Sequence, residues 1–164
     1  MLTLFTYNWQ VREEWFEWAA ELSEEELLKD RTGGPGSILF TLYHVADAEY
    51  SWIRAVYGLP DKPVSFESVR SLDMVRTLSD KWNREVRNLL ESGVPDLEGT
   101  VTAEWAPVPY RKGDVLRHII AHEIHHMGQL SVWAREIGHK PVSANVIGRE
   151  LPAIPGNRSS SELK

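Results

Sequence analysis

The sequence contains no cysteine. That excludes disulfides, thiolate metal ligands and a cysteine nucleophile together. Any thiol chemistry must therefore use a thiol from outside the chain. Positive charge is scarce as well: 18 Lys and Arg stand against 24 Asp and Glu, for a formal net charge of −6. Nucleic-acid binding demands a basic face to meet the phosphates, so this balance argues against it. No apolar run approaches the roughly 18 residues that a membrane span needs. The first fifteen residues lack a basic segment followed by an apolar one, the pattern of a secretion signal. The expectation is a cytoplasmic protein with neither nucleic acid nor membrane as partner. Without a secretion signal, Asn157-Arg158-Ser159 reads as a chance glycosylation sequon. Internal repeats and low-complexity stretches are missing too.

What is present fits one globular domain. A chain of 164 residues is long enough to bury its own core. Residues 1–156 are expected to form that domain, with the polar tail 157–164 flexible. Seven tryptophans call for bulky aromatic packing. Trp9, Trp15, Trp52, Trp82 and Trp133 are expected in the core or at a subunit interface.

Apolar residues recur at helical spacing in four long segments. The first covers residues 3–21, with Phe5, Trp9, Phe16, Ala19 and Ala20 inward and Arg12, Glu13 and Glu14 on the wetter side. Ser23 followed by Glu26 forms a capping box that opens a short helical turn through Lys29. Gly33-Gly34-Pro35-Gly36 then breaks the chain. Neither a preceding strand nor a following Lys-Ser/Thr is there to make it a phosphate loop, so it reads as a connector. Ser37 caps a second helix, residues 37–58, apolar over most of its circumference and therefore largely buried. One stripe of it is small and polar: Thr41, His44, Asp47, Ala48 and Ser51. That stripe either faces solvent or lines a polar pocket at the bundle centre.

After the connector Asp61-Lys62-Pro63-Val64, Ser71 caps a third helix to about Leu90 whose outer face is charged. Residues 92–112 hold three prolines and two glycines, which predicts an irregular stretch, with a short extended pair around Thr100–Trp105. The fourth helix covers residues 113–138, ending at Gly138. Ser143 is expected to cap a last short helix to Leu151. Four long helices with few strand signals predict an all-α fold, an antiparallel four-helix bundle.

The fourth helix carries the chemistry. It contains four of the six histidines, His118, His122, His125 and His126. His122 and His126 are one turn apart on one stripe, a spacing at which two imidazoles converge on one metal ion. Setting His118 at 0°, the apolar arc lies at roughly 100–200°, His126 near 80° and His122 near 40°. His118 and His125 point further outward. His118 cannot join His126 on one ion, because eight residues rise about 12 Å. A third ligand must come from another helix, and only His44 and His139 remain. Three neutral imidazoles would leave an open position, the catalytic rather than the structural pattern.

His44 within LYHVADAEYSWI, together with HIIAHEIHHMGQL, resembles the DinB/YfiT-like superfamily. The likeness runs from Tyr7–Trp9 to the end of the long helix. Its most specific part is H-x-x-x-H followed by Gly128-Gln129, with a lone histidine about 80 residues upstream. The resemblance implies a four-helix bundle, a homodimer, and one divalent metal ion held by His44, His122 and His126. The usual basic residue before Gly-Gln is Met127 here, so any polar contact made by that basic side chain is missing. The resemblance further implies thiol-dependent S-transferase or isomerase chemistry on a small-molecule substrate, with a low-molecular-weight thiol such as bacillithiol or mycothiol as cosubstrate. Three imidazoles accept zinc, nickel or iron, so the sequence leaves the metal open.

A competing reading comes from the same residues. His122-Glu123-Ile124-His125-His126 satisfies H-E-x-x-H, in which the glutamate of a zinc hydrolase is the general base. Against it, Glu123 falls near 140° on the same wheel, inside the apolar arc, where a charge needs a partner. Gly128 is also one residue short of the extended metzincin spacing. A third reading is a metal- or small-ligand-binding protein without turnover. Asp47, Glu123 and Gln129 are the candidates for orienting ligands or substrate.

Overall fold

The computed structural model describes residues 1–93 and 96–152. The expected tail at 157–164 lies outside these residues. Four long helices carry the fold: α1 (Leu2–Ala19), α3 (Ile38–Val56), α4 (Leu72–Glu91) and α5 (Lys112–Glu136), with a short α2 (Glu24–Leu28) after the first. Between α4 and α5 the proline-rich stretch forms an antiparallel hairpin, β1 (Thr100–Ala103) and β2 (Ala106–Arg111).

Helix starts follow the local chemistry. The hydroxyls of Ser23, Ser37 and Ser71 accept from the backbone N–H of Glu26, Phe40 and Met74, satisfying donors that have no partner inside the helix. At the end of α5, Gly138 takes φ +78°, and the His139 N–H donates to the Ala134 carbonyl. That left-handed residue is what a helix terminator of this kind requires.

Side-chain contacts fix the helix directions. Asn8 meets Ile120 and Arg12 meets Glu123, so α1 and α5 run parallel. Tyr50 and Arg54 meet Glu85 while Tyr57 meets Leu89, so α3 and α4 also run parallel. Glu13 pairs with Arg76 while Arg87 covers Trp9, which makes α1 and α4 antiparallel. The bundle expected to be antiparallel is thus antiparallel across some seams and parallel across two. The reason is the connector 57–71, long enough to return the chain to the starting end before α4 begins.

Trp9, Trp15, Trp82 and Trp133 are buried, and Trp52 is half-buried. Arg12, placed on the wet side by the helical wheel, is only 3 % exposed. The short helix expected from Ser143 to Leu151 is not there; among the described residues this segment is irregular. Its carbonyls have other partners. Tyr7 Oη donates to Ala144 O, Gln10 Nε2 to Glu150 O, and Arg149 to Ser143 O and Asn145 O. Arg149 is meanwhile anchored on α1 by a two-pronged bond to Glu14 (2.6 and 2.9 Å). These bonds lay the segment along α1 and use up the acceptors of a helix turn.

Candidate metal centre

Three imidazoles meet where α3 crosses α5. His122 Nε2 lies 3.1 Å from His44 Nε2 and 3.1 Å from His126 Nε2. One ring nitrogen from each residue falls within 4.8 Å of the others. The rings stand steeply to one another, with interplanar angles of 64°, 77° and 89°. Helix α5 supplies two of them because residues four apart stack on one face. Helix α3 supplies the third from its polar stripe, which faces inward at this level.

The donor set fits a divalent ion. Bonds of about 2.0–2.1 Å put neighbouring nitrogens about 3.3 Å apart in a tetrahedral shell, close to the observed separations. Protonation state fits as well. Burial lowers the pKa of His44, helped by His126. Burial and then the surrounding histidines push His122 down to about 4. His126 is also lowered, again mainly by burial. At neutral pH the rings are uncharged and offer lone pairs. Protons are poor occupants of this site, and a metal cation is a good one.

Neighbouring side chains orient the imidazoles. His126 Nδ1 lies 2.7 Å from Gln129 Oε1. An amide oxygen only accepts, so Nδ1 carries the proton and Nε2 keeps its lone pair for the site. The Gln129 amide N–H donates to His125 Nε2 at 3.1 Å. Glu123 is 1 % exposed and turned away from the imidazoles. Both its oxygens accept from Arg12, at 2.6 Å each. Arg12 also donates to Glu49 Oε1 (3.0 Å), whose other oxygen accepts from Trp9 Nε1 (2.9 Å). This buried triad beside the three imidazoles was not legible in the sequence beyond the demand that Glu123 have a partner.

Asp47 sits one turn after His44 on the wall of a cleft of about 590 Å³ that also reaches His44 and His122. Trp52, Asp61, Trp105 and His118 line the same cleft. Trp52 and Trp105 pack edge to face at 5.7 Å. Burial and then Asp61 raise the Asp47 pKa to about 6. His118 and His125 are exposed and stand outside the group of three; His139 packs against Trp18. Asp61 and Trp105 were not singled out by sequence reasoning. One belongs to the crossover connector and the other to the hairpin, and only the fold brings them beside His44.

The family model described as the DinB family matches residues 1–158. The chain belongs to the DinB family. A protein of Bacillus subtilis (strain 168), the uncharacterized protein YizA, is 48% identical over 156 residues, spanning 94% of this chain and 98% of that one. Among solved structures, a DinB-like protein of Bacillus subtilis, YjoA, superposes with a TM-score of 0.59 at 15% identity. That match covers 85% of this DinB chain and 95% of YjoA, and at such identity it speaks for the fold alone.

Proposed function

We propose that this DinB protein is a metal-dependent enzyme acting on a small molecule, with His44, His122 and His126 holding one divalent ion. The convergence of three imidazole nitrogens, with His44 and His122 on the cleft wall, is the observation that carries this reading. A divalent ion held by three imidazoles lowers the pKa of water or of a thiol at its open position. With no cysteine in the chain, thiol transfer would take its thiol from solution. The chain's own part is to fix the ligand rings, through Gln129, and to shape the cleft with Trp52 and Trp105. Homodimer formation belongs to this reading too, and sedimentation at micromolar concentration checks it.

The hydrolase alternative asks Glu123 to act as general base. Both of its oxygens are held by Arg12, so this role has no support in the geometry. The protein is expected to bind close to one equivalent of zinc, nickel or iron per chain. Any turnover found on panels of thiol and ester substrates is expected to vanish with a chelator and return with the ion. Metal binding without turnover across both panels would favour a ligand-binding protein instead.

The cleft also sorts ligands by charge. Asp47 and Asp61 line it, and no Lys or Arg does among the described residues. An amine such as 2-phenylethylamine is therefore expected to bind better than 3-phenylpropionate to metal-free protein. Asp47 is ionised only above about 6, so the amine's advantage is present above that pH and shrinks as the pH falls through it. Calorimetric titrations at pH 5 and pH 7.5 measure it. Equal affinities at the higher pH would reject the charge argument.

A further inference from the structure

Gly34 stands directly against the side chain that orients His126. It belongs to the turn between α2 and α3, far from His126 in sequence, and has φ +60°. A Cβ at this position would lie 2.7 Å from Gln129 Oε1, 3.2 Å from Gln129 Cδ and 3.0 Å from Trp133 Cη2. Trp133 has little freedom to move. It is 3 % exposed, its Nε1 donates to Thr32 O (3.2 Å), and Arg31 covers its ring at 5.9 Å. Gln129 is the mobile partner, and the atom that a Cβ would displace is the one that accepts from His126 Nδ1.

We propose that Gly34 is a positioning residue of the metal centre: its bare Cα lets the Gln129 amide stay docked on His126 and so holds the His126 tautomer. The turn 33–36, read from sequence as a plain connector, thereby becomes a brace behind one metal ligand. A carboxamide that orients a ligand ring changes metal affinity without touching the ion. This inference rests on the reading of the three imidazoles as metal ligands, but its first test does not need the metal.

Gly33 provides the control. It also has positive φ (+82°), yet a Cβ there meets nothing within 4 Å. Alanine at either position carries comparable backbone strain, and only Gly34→Ala pushes on Gln129. In metal-free protein, the His126 Nδ1 proton, followed by nitrogen-resolved NMR, is expected to persist in Gly33→Ala and to be lost by exchange in Gly34→Ala. Zinc affinity, measured by competition with a chromophoric chelator, is expected to fall about 10–100-fold in Gly34→Ala and to change little in Gly33→Ala. In a Gln129→Ala background, Gly34→Ala should add no further loss. If Gly34→Ala alone fails to fold, the Gly34→Ala/Gln129→Ala pair is expected to fold, because the 2.7 Å approach to Gln129 is gone and the remaining 3.0 Å contact asks Trp133 to yield by only a few tenths of an ångström.

An unchanged His126 Nδ1 signal in Gly34→Ala would overturn the proposal. So would equal zinc affinities for the Gly33 and Gly34 variants, or a double variant that also fails to fold. Absence of zinc binding in every variant, with the NMR difference intact, would instead remove the metal reading and leave the brace standing.

Discussion

Arg12→Met is expected to destabilise the protein by about 3–5 kcal/mol, the usual cost of stranding buried charge. Among the described residues Arg12 is the one cation facing the Glu49 and Glu123 carboxylates, and all three side chains are at most 4 % exposed. Methionine fills much of the same space, so the loss reports on charge rather than on a cavity. Its pH dependence has a definite sign. Burial already raises the Glu49 pKa in the presence of Arg12, and removing the guanidinium takes away the opposing influence. A folded-state pKa above the unfolded one means that the native state binds more protons, so stability falls as pH rises. The variant should therefore be closest to wild type near pH 5 and furthest from it above pH 7, as chemical denaturation at several pH values would show. Adding Glu49→Gln and Glu123→Gln to Arg12→Met should recover much of the loss, since no charge is then left unpaired. A variant with wild-type stability at pH 8 would show that the triad is solvated in solution.

Metal affinity gives the second large effect. His44→Ala, His122→Ala and His126→Ala are each expected to weaken zinc binding by more than about 100-fold, beyond the range for residues that merely orient a ligand. His118→Ala, His125→Ala and His139→Ala are expected to leave it within severalfold, because none of them belongs to the converging group. Wild-type protein should also melt at higher temperature with zinc present, since an ion held only by the native state stabilises it. The single-alanine ligand variants should lose that rise. Full occupancy in His44→Ala would leave His122 and His126 as a two-ligand surface site and end the proposal of an α3 ligand.

What the sequence made legible followed from local periodicity. The four long helices, the serine caps and the pairing of His122 with His126 are all encoded within a few residues of themselves. The third imidazole was a different matter, because elimination left both His44 and His139. The resemblance of LYHVADAEYSWI, together with HIIAHEIHHMGQL, to one superfamily chose between them, and the fold puts His44 beside the pair. Arg12 escaped for a physical reason. Its partners lie 37 and 111 residues away, and a wheel drawn on α1 alone sees only an arginine beside two glutamates. The segment after Ser143 failed for a related reason: bonds to α1 overrode a local capping signal. The hairpin was foreseen as a short extended pair; its role in bringing Trp105 to the cleft was not.

The two parallel seams have a consequence for how the site varies. Returning the chain between α3 and α4 takes the connector 57–71, and that connector contributes Asp61 to the cleft wall. The hairpin contributes Trp105. Neither segment supplies one of the three converging imidazoles or a member of the Arg12 triad. The cleft wall is thus shared between two segments that carry none of the three imidazoles and helix α3, which carries His44 together with Asp47 and Trp52. Exchanging residues 57–71 and 100–111 between family members should change the share of ligand preference set by Asp61 and Trp105 while leaving the three imidazoles, Asp47 and Trp52 in place, a partly modular arrangement open to directed evolution by segment shuffling.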